Sequence, residues 1–129
     1  MIVKHLTDVI HSKDDIDTKT WNARRLLLKK DGMGFSLHDT VIKAGTETLI
    51  WYRNHVEAVY CIEGDGEIEV IGGPTYPITA GTLYALDGHE KHLLRANRQM
   101  RMVCVFNPPL TGAEVHDADG VYPLVESNS

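Results

Sequence analysis

No apolar run in the sequence approaches the roughly 18 residues a membrane helix needs, which excludes a helical membrane protein. Cysteine is scarce: Cys61 and Cys104 are the only two, each inside an apolar run, and they read as buried free thiols of a reducing compartment. The opening MIVKHLTDVIHSKDD has neither an apolar h-region nor a small-residue cleavage site, so a cytoplasmic location is expected. A basic face is missing too. Thirteen Lys and Arg stand against 18 Asp and Glu, for a net charge of −5, and no basic stripe is interleaved with aromatics, which argues against nucleic-acid binding. The one basic cluster, RRLLLKK at 24–30, reads as the solvated edge of a strand. Helical periodicity is weak, and there is no internal repeat or low-complexity tract.

What remains is a β pattern. Short runs of Val, Ile, Leu and Tyr, broken by glycine-containing turns every eight to twelve residues, predict strands at 24–30, 35–43, 47–53, 57–63, 67–71, 82–86, 91–96 and 101–106. The turns DGMG (31–34), GDG (64–66), GGP (72–74) and DGHE (87–90) supply residues that tolerate positive φ. The polar segment 8–20 is expected to hold a turn or short helix. The reading is one domain over 1–124, with 125–129 a frayed, disordered tail.

Two spaced motifs sharpen this. From Gly45 the chain reads G-x5-W-x-R-x3-E-x6-G, ending at Glu57 and Gly64. This resembles the first cupin motif, G-x5-H-x-H-x3-E-x6-G, with Trp51 and Arg53 in place of the histidines. Sixteen residues on, Gly81, Asp87, His89, His92 and Ala96 fall on the second motif's spacing, of which the glycine and His92 match. The resemblance implies an all-β, cupin-type β-barrel of jelly-roll-like antiparallel sheets with little helix. In such a barrel Glu57 and His92 point inward from neighbouring strands and can share a metal. Burying the carboxylate of HVEAVYC without a cation or hydrogen bonds would be costly. His89 reads as an exposed turn residue, held as a substitute ligand, and His5, His11 and His38 have no supporting pattern.

RRLLLKKDGMGFS, HDT, AGTET, WYRNHVEAVYCIEGDGEIE, GTLYALDGHEKH and CVFNPPLTGAEVHDADGVYP together resemble the ectoine synthases over about positions 1–124. The resemblance implies a homodimeric, iron-dependent hydro-lyase of compatible-solute biosynthesis that closes N-γ-acetyl-L-2,4-diaminobutyrate into ectoine with loss of water. It implies Tyr84 as a third metal ligand beside Glu57 and His92, an O/N donor set suited to Fe(II) or another divalent ion. It places Trp21, Thr40, Tyr52, Cys104, Phe106 and Glu114 around the substrate. Glu114 is assigned as base with His116 assisting, Tyr52 is a further catalytic candidate, and 110–124 is expected to form a lid behind Pro108 and Pro109. Strict alternation from Glu57 turns Trp51 and Arg53 inward and Tyr52 outward, against the resemblance. The alternatives are a cupin oxygenase or isomerase, disfavoured by the loss of both motif histidines, and a metal-free ligand-binding barrel.

Overall fold

The computed structural model describes residues 1–113. A four-residue helix α1 (Leu6–Val9) precedes ten strands: β1 (Asp15–Asp17), β2 (Trp21–Leu27), β3 (Ser36–Ile42), β4 (Glu47–Ile50), β5 (Val56–Glu63), β6 (Asp65–Val70), β7 (Thr75–Thr79), β8 (Leu83–Leu86), β9 (His92–Ala96) and β10 (Met100–Asn107). All pairings are antiparallel. Six strands form one sheet in the order β1-β2-β3-β10-β5-β8, and four form the other in the order β4-β9-β6-β7. The sheets close face to face around one apolar cluster that includes Ile42, Val59, Cys61, Ile68, Leu94 and Met102. Among the described residues no helix is long and apolar enough to cross a membrane.

Side-chain alternation builds this core. Along β10, Met100, Met102, Cys104 and Phe106 are buried while Arg101, Val103 and Val105 face outward, as a period of two requires. The motif glycine Gly64 ends β5 with φ of 91°, where a Cβ would come 2.1 Å from the Gln99 carbonyl oxygen, so only glycine fits.

The strand expectations shift at four places. The first long strand is Trp21–Leu27, not 24–30, because Lys29–Asp31 turns into a 3-10 segment in which Asp31 Oδ2 accepts from the Leu28 amide at 2.8 Å. The strand expected to reach 53 stops being regular at Ile50, opposite His92. Two strands were not foreseen: β1, paired on β2 within the polar segment, and β7, whose Pro77 masks it. β7 is an edge strand, where a missing N–H costs no ladder bond.

Both cysteines are free and buried. On the outward face of β3, Asp39 is nonetheless 7% exposed, because Arg24 and Arg101 close over it.

Candidate active site

Inside the barrel a cavity is walled mainly by the six-stranded sheet, and strand register decides its lining. Phe106 stands opposite Glu57, Cys104 opposite both Val59 and His38, Met102 opposite Thr40, and Tyr84 opposite Val59. All these side chains share the inward face, and Trp21, Thr40, Tyr52, Glu57, Tyr84, Cys104 and Phe106 line the cavity together. His92 lies on the facing sheet just behind the wall, completely buried, its ring centroid 6.3 Å from that of Tyr52.

Tyr52 corrects the alternation argument. Because regular strand ends at Ile50, residues 51–55 no longer obey a period of two, and Tyr52 is 6% exposed with its ring edge-on to Phe106 at 4.9 Å. Trp51 and Arg53, expected to face inward, instead stack outside, the guanidinium 4.7 Å from the indole centroid. His55 is buried and hydrogen-bonds the Pro108 carbonyl through Nδ1 at 2.8 Å.

Electrostatics single out three of the lining groups. Burial pushes the Glu57 carboxyl up to about 8, against a smaller opposing effect of the Cys104 hydrogen bond. Burial and then the Glu57 charge raise the Tyr84 phenol well above its ordinary value. The Cys104 thiol is raised by the same two causes in the same order, so it stays protonated. His92 Nδ1 lies 3.0 Å from the Glu90 carbonyl oxygen and, since a carbonyl only accepts, carries the proton there. That leaves Nε2 as a bare lone pair, buried and without a partner among the described residues. A backbone-oriented imidazole with an unused lone pair, a buried carboxyl and a phenol make a donor set that fits a divalent cation. No group of three His, Cys, Asp or Glu gathers among the described residues, so such a site depends on the phenol.

Two residues of this region were misread from the sequence. Arg25, placed on a solvated strand edge, is 3% exposed. Its Nη1 donates to the Gly112 carbonyl at 3.0 Å, and among the described residues its Nε has no partner and no acid pairs with it. His38, given no role, lines the cavity with its Nε2 unpartnered among the described residues. Burial first, then the Arg25 charge, push His38 down to about 3, so it is a neutral imidazole. An inward-facing Arg in a β run flanked by apolar residues was the available signal, hidden because both arginines of RRLLLKK seemed to share one fate. Alternation separates them: Arg24 faces out and Arg25 in. His89 is exposed, in the turn between β8 and β9. His5 and His11 lie outside the cavity.

The chain after β10 is strapped to the end of the sheet where Ser36, Phe106 and Glu57 lie side by side. Leu110 is fully buried, its amide donating to Ser36 Oγ at 3.0 Å and its carbonyl accepting from Lys29 at 2.8 Å. Glu114 and His116, the base and its assistant, lie outside the described residues, as do most of the expected lid and the 125–129 tail.

Two antiparallel sheets closed around an inward carboxylate, imidazole and phenol define a cupin. The fold is shared with an RmlC-like cupin from Shewanella frigidimarina (TM-score 0.62, 18% identity, 73% of this chain and 81% of that one). The chain belongs to the ectoine synthase family: the family model matches residues 1–126. It is 63% identical over 127 residues to an L-ectoine synthase of Halalkalibacterium halodurans, covering 98% of both chains. It is 58% identical over 128 residues to one from Vibrio parahaemolyticus, covering 98% of this chain and 100% of that one. The crystal structure of an ectoine synthase from P. lautus superposes with a TM-score of 0.90 at 80% identity, covering 100% of this chain and 94% of that one.

Proposed function

We propose that this chain is an ectoine synthase, a hydro-lyase that closes N-γ-acetyl-L-2,4-diaminobutyrate into ectoine. In the reaction the α-amino nitrogen bonds to the acetyl carbonyl carbon, the carbonyl oxygen leaves as water, and a C=N bond completes the ring. The observation that carries this reading is a buried guanidinium, Arg25, that no acid among the described residues pairs with, standing in register opposite His38, which lines an apolar cavity that also holds a buried carboxyl. A zwitterionic substrate with one carboxylate and one amide matches that arrangement.

Arg25 holds the substrate carboxylate through the guanidinium edge that Gly112 does not use, a charge-assisted bond suited to a buried cation with no acid partner among the described residues. Thr40 and neutral His38 offer hydrogen bonds along the same wall. His38 serves there as a hydrogen-bond partner and not as a base, because a group with pKa about 3 takes up almost no proton at pH 7. Trp21, Tyr52 and Phe106 shape the apolar walls that fold the substrate back so that amine and carbonyl meet, and such positioning supplies much of the acceleration in a ring closure. They also keep water from the dehydration step.

Glu57, Tyr84 and His92 would hold Fe(II) or another divalent ion. Bound there, it supplies Lewis-acid polarisation of the amide oxygen and a positive charge that keeps Glu57 and Tyr84 ionised. Glu114 takes the ammonium proton and, with His116, returns one to the departing oxygen; Tyr52, which lines the cavity, supplies a hydroxyl able to assist. The exposed edge strand β8, with Leu83 64% exposed, and the exposed Tyr60 on the same outer face support a homodimer. Two free, buried thiols suit a cytoplasmic setting.

Incubating the purified, Fe(II)-loaded protein with N-γ-acetyl-L-2,4-diaminobutyrate and following ectoine by proton NMR tests the reading. Ring closure well above the buffer rate is expected. A folded, metal-loaded sample that forms no ectoine would overturn it.

A further inference from the structure

Trp51, at the first of the two positions where the cupin motif has lost its histidines, and its neighbour Tyr52 are tied by side chain-to-backbone hydrogen bonds to the loop that carries the second motif. Trp51 Nε1 donates to the His89 carbonyl at 3.0 Å. His89 Nδ1 lies 2.9 Å from the carbonyl oxygen of Tyr52, the residue next to Trp51, and must donate to it. Two residues of one strand end and one residue of the opposite loop thus exchange a pair of hydrogen bonds. This happens just past Ile50 and His92, where the regular pairing of β4 with β9 stops. The Arg53 guanidinium and the Lys91 ammonium, 4.7 and 5.1 Å from the indole centroid, hold the Trp51 ring from both motif loops.

His89 adopts a φ of 56°, left-handed backbone that few non-glycine residues take, although histidine does so more readily than most. The neighbouring Gly88 of the same turn does not carry the positive φ. That backbone conformation sends the His89 ring back to the Tyr52 carbonyl. What the clasp holds is part of the cavity. Tyr52 on one side packs edge-on to Phe106 inside the barrel. Glu90, next to His89, supplies the carbonyl that fixes the proton of His92 on Nδ1.

We infer that Trp51 and His89 are positioning residues: their reciprocal clasp sets Tyr52 and the Glu90–His92 bond on two sides of the reaction cavity, without touching substrate. The inference rests on the cavity being the active site. It also gives the residues that replaced the motif histidines a task, joining from outside the two loops that shared ligands join from inside.

Three variants separate the clasp from general damage. H89N keeps a side-chain N–H donor and tolerates left-handed backbone; H89G keeps the backbone freedom and loses the donor; W51F keeps the ring between its cations and loses the Nε1 donor. With Fe(II)-loaded protein, H89G and W51F are expected to lose roughly 10-fold or more in kcat, since misplacement of about an ångström is enough. KM should stay within about two-fold, with melting temperatures near the parent's, while H89N retains at least a third of parental kcat. A readout independent of turnover accompanies this: the ring resonances of selectively labelled Tyr52 should keep one environment in the parent and H89N, and shift or broaden in H89G and W51F. Parental kcat and unchanged Tyr52 signals in H89G would overturn the clasp, as would H89N falling as far as H89G. If the parent itself forms no ectoine, the functional reading fails, and the Tyr52 resonances alone decide the positioning.

Discussion

Arg25 and His38 stand directly opposite each other in the β2–β3 register, both inside the barrel, each with a nitrogen that no described group satisfies. The pair is arranged for something not supplied by the chain's described residues. A buried guanidinium calls for an anion, and beside it an imidazole that cannot charge above about pH 3 offers a hydrogen bond without competing for that anion.

The first prediction follows from this pair. Replacing Arg25 by Gln removes a charge-assisted bond worth about 2 kcal/mol, so kcat/KM for N-γ-acetyl-L-2,4-diaminobutyrate should fall roughly 30-fold. Because Arg25 also anchors Gly112, the deciding comparison uses N-acetyl-1,3-diaminopropane, which lacks the carboxylate. The parent should discriminate strongly between the two substrates and Arg25→Gln weakly. Equal discrimination by both enzymes would remove Arg25 from the carboxylate.

The Nε2 atoms of His92 and His38, both without a partner among the described residues, lead to a second, contrasting expectation. His92 has its proton pinned on Nδ1 by Glu90 and should ligate, whereas His38 sits beside the Arg25 cation, a poor place for a metal. Glu57→Ala and His92→Ala should each weaken iron binding by more than the 10–100-fold typical of losing a supporting partner. His38→Ala should keep iron, and Tyr84→Phe should retain less than the parent. Metal analysis after desalting checks this, with circular dichroism confirming the sheets. Iron retained in both Glu57→Ala and His92→Ala would place the site elsewhere.

The barrel, its turns and its motif residues were legible because each rests on a local rule: alternation, a glycine turn, or fixed spacing from Gly45. What was hidden depended on where a rule stops. Tyr52 seemed to face outward only while the strand was extended through 53, and the ladder ends at Ile50. Arg25 and Arg24 look alike in a basic cluster, yet opposite faces of β2 send one to the cavity and the other to Asp39. His38 belongs to no spaced motif; its place comes from pairing with Cys104 across 66 positions of sequence, which no local pattern records. β7 was masked by Pro77, permitted there only by the edge position.

His38 also makes stability depend on pH. Its folded pKa, about 3, lies below the unfolded value of 6.5, so between those limits the unfolded chain takes up a proton that the folded chain refuses. The His38 contribution therefore falls as pH falls from about 6.5, by up to roughly 1.4 kcal/mol per pH unit, while Glu57, raised to about 8 without metal, contributes with the opposite sign above its unfolded value near 4.5. In urea unfolding of metal-free protein from pH 7 to 4.5, His38→Asn should therefore gain stability relative to the parent as pH falls, because the Glu57 contribution is common to both and cancels in the difference. An unchanged slope in the variant would assign the acid sensitivity to other groups.

Asp39 governs the region below that window. It lies on the outward face of β3 with side-chain exposure of 10%, between Arg24 and Arg101, whose Nη2 is 2.6 Å from Oδ2. Burial alone would raise its pKa, but the hydrogen bonds from Arg101 and Arg24 outweigh that and leave it lowered. A depressed carboxylate contributes stability that is complete above its unfolded value near 4 and is lost as pH drops through the folded value. Asp39→Ala leaves two guanidinium groups facing each other without the carboxylate, Arg24 keeping only its Nε bond to the backbone carbonyl of residue 39, which should cost about 3 kcal/mol at pH 7, less to the extent that Arg101 turns to water. The variant should also lack the parent's loss of stability below pH 4. Because Asp39 points away from the cavity, kcat per folded molecule should not change. Urea midpoints at pH 7 and pH 3, taken beside turnover at 25 °C, test all three expectations. A variant as stable as the parent at pH 7 would mean that water satisfies the two arginines as well as the carboxylate does.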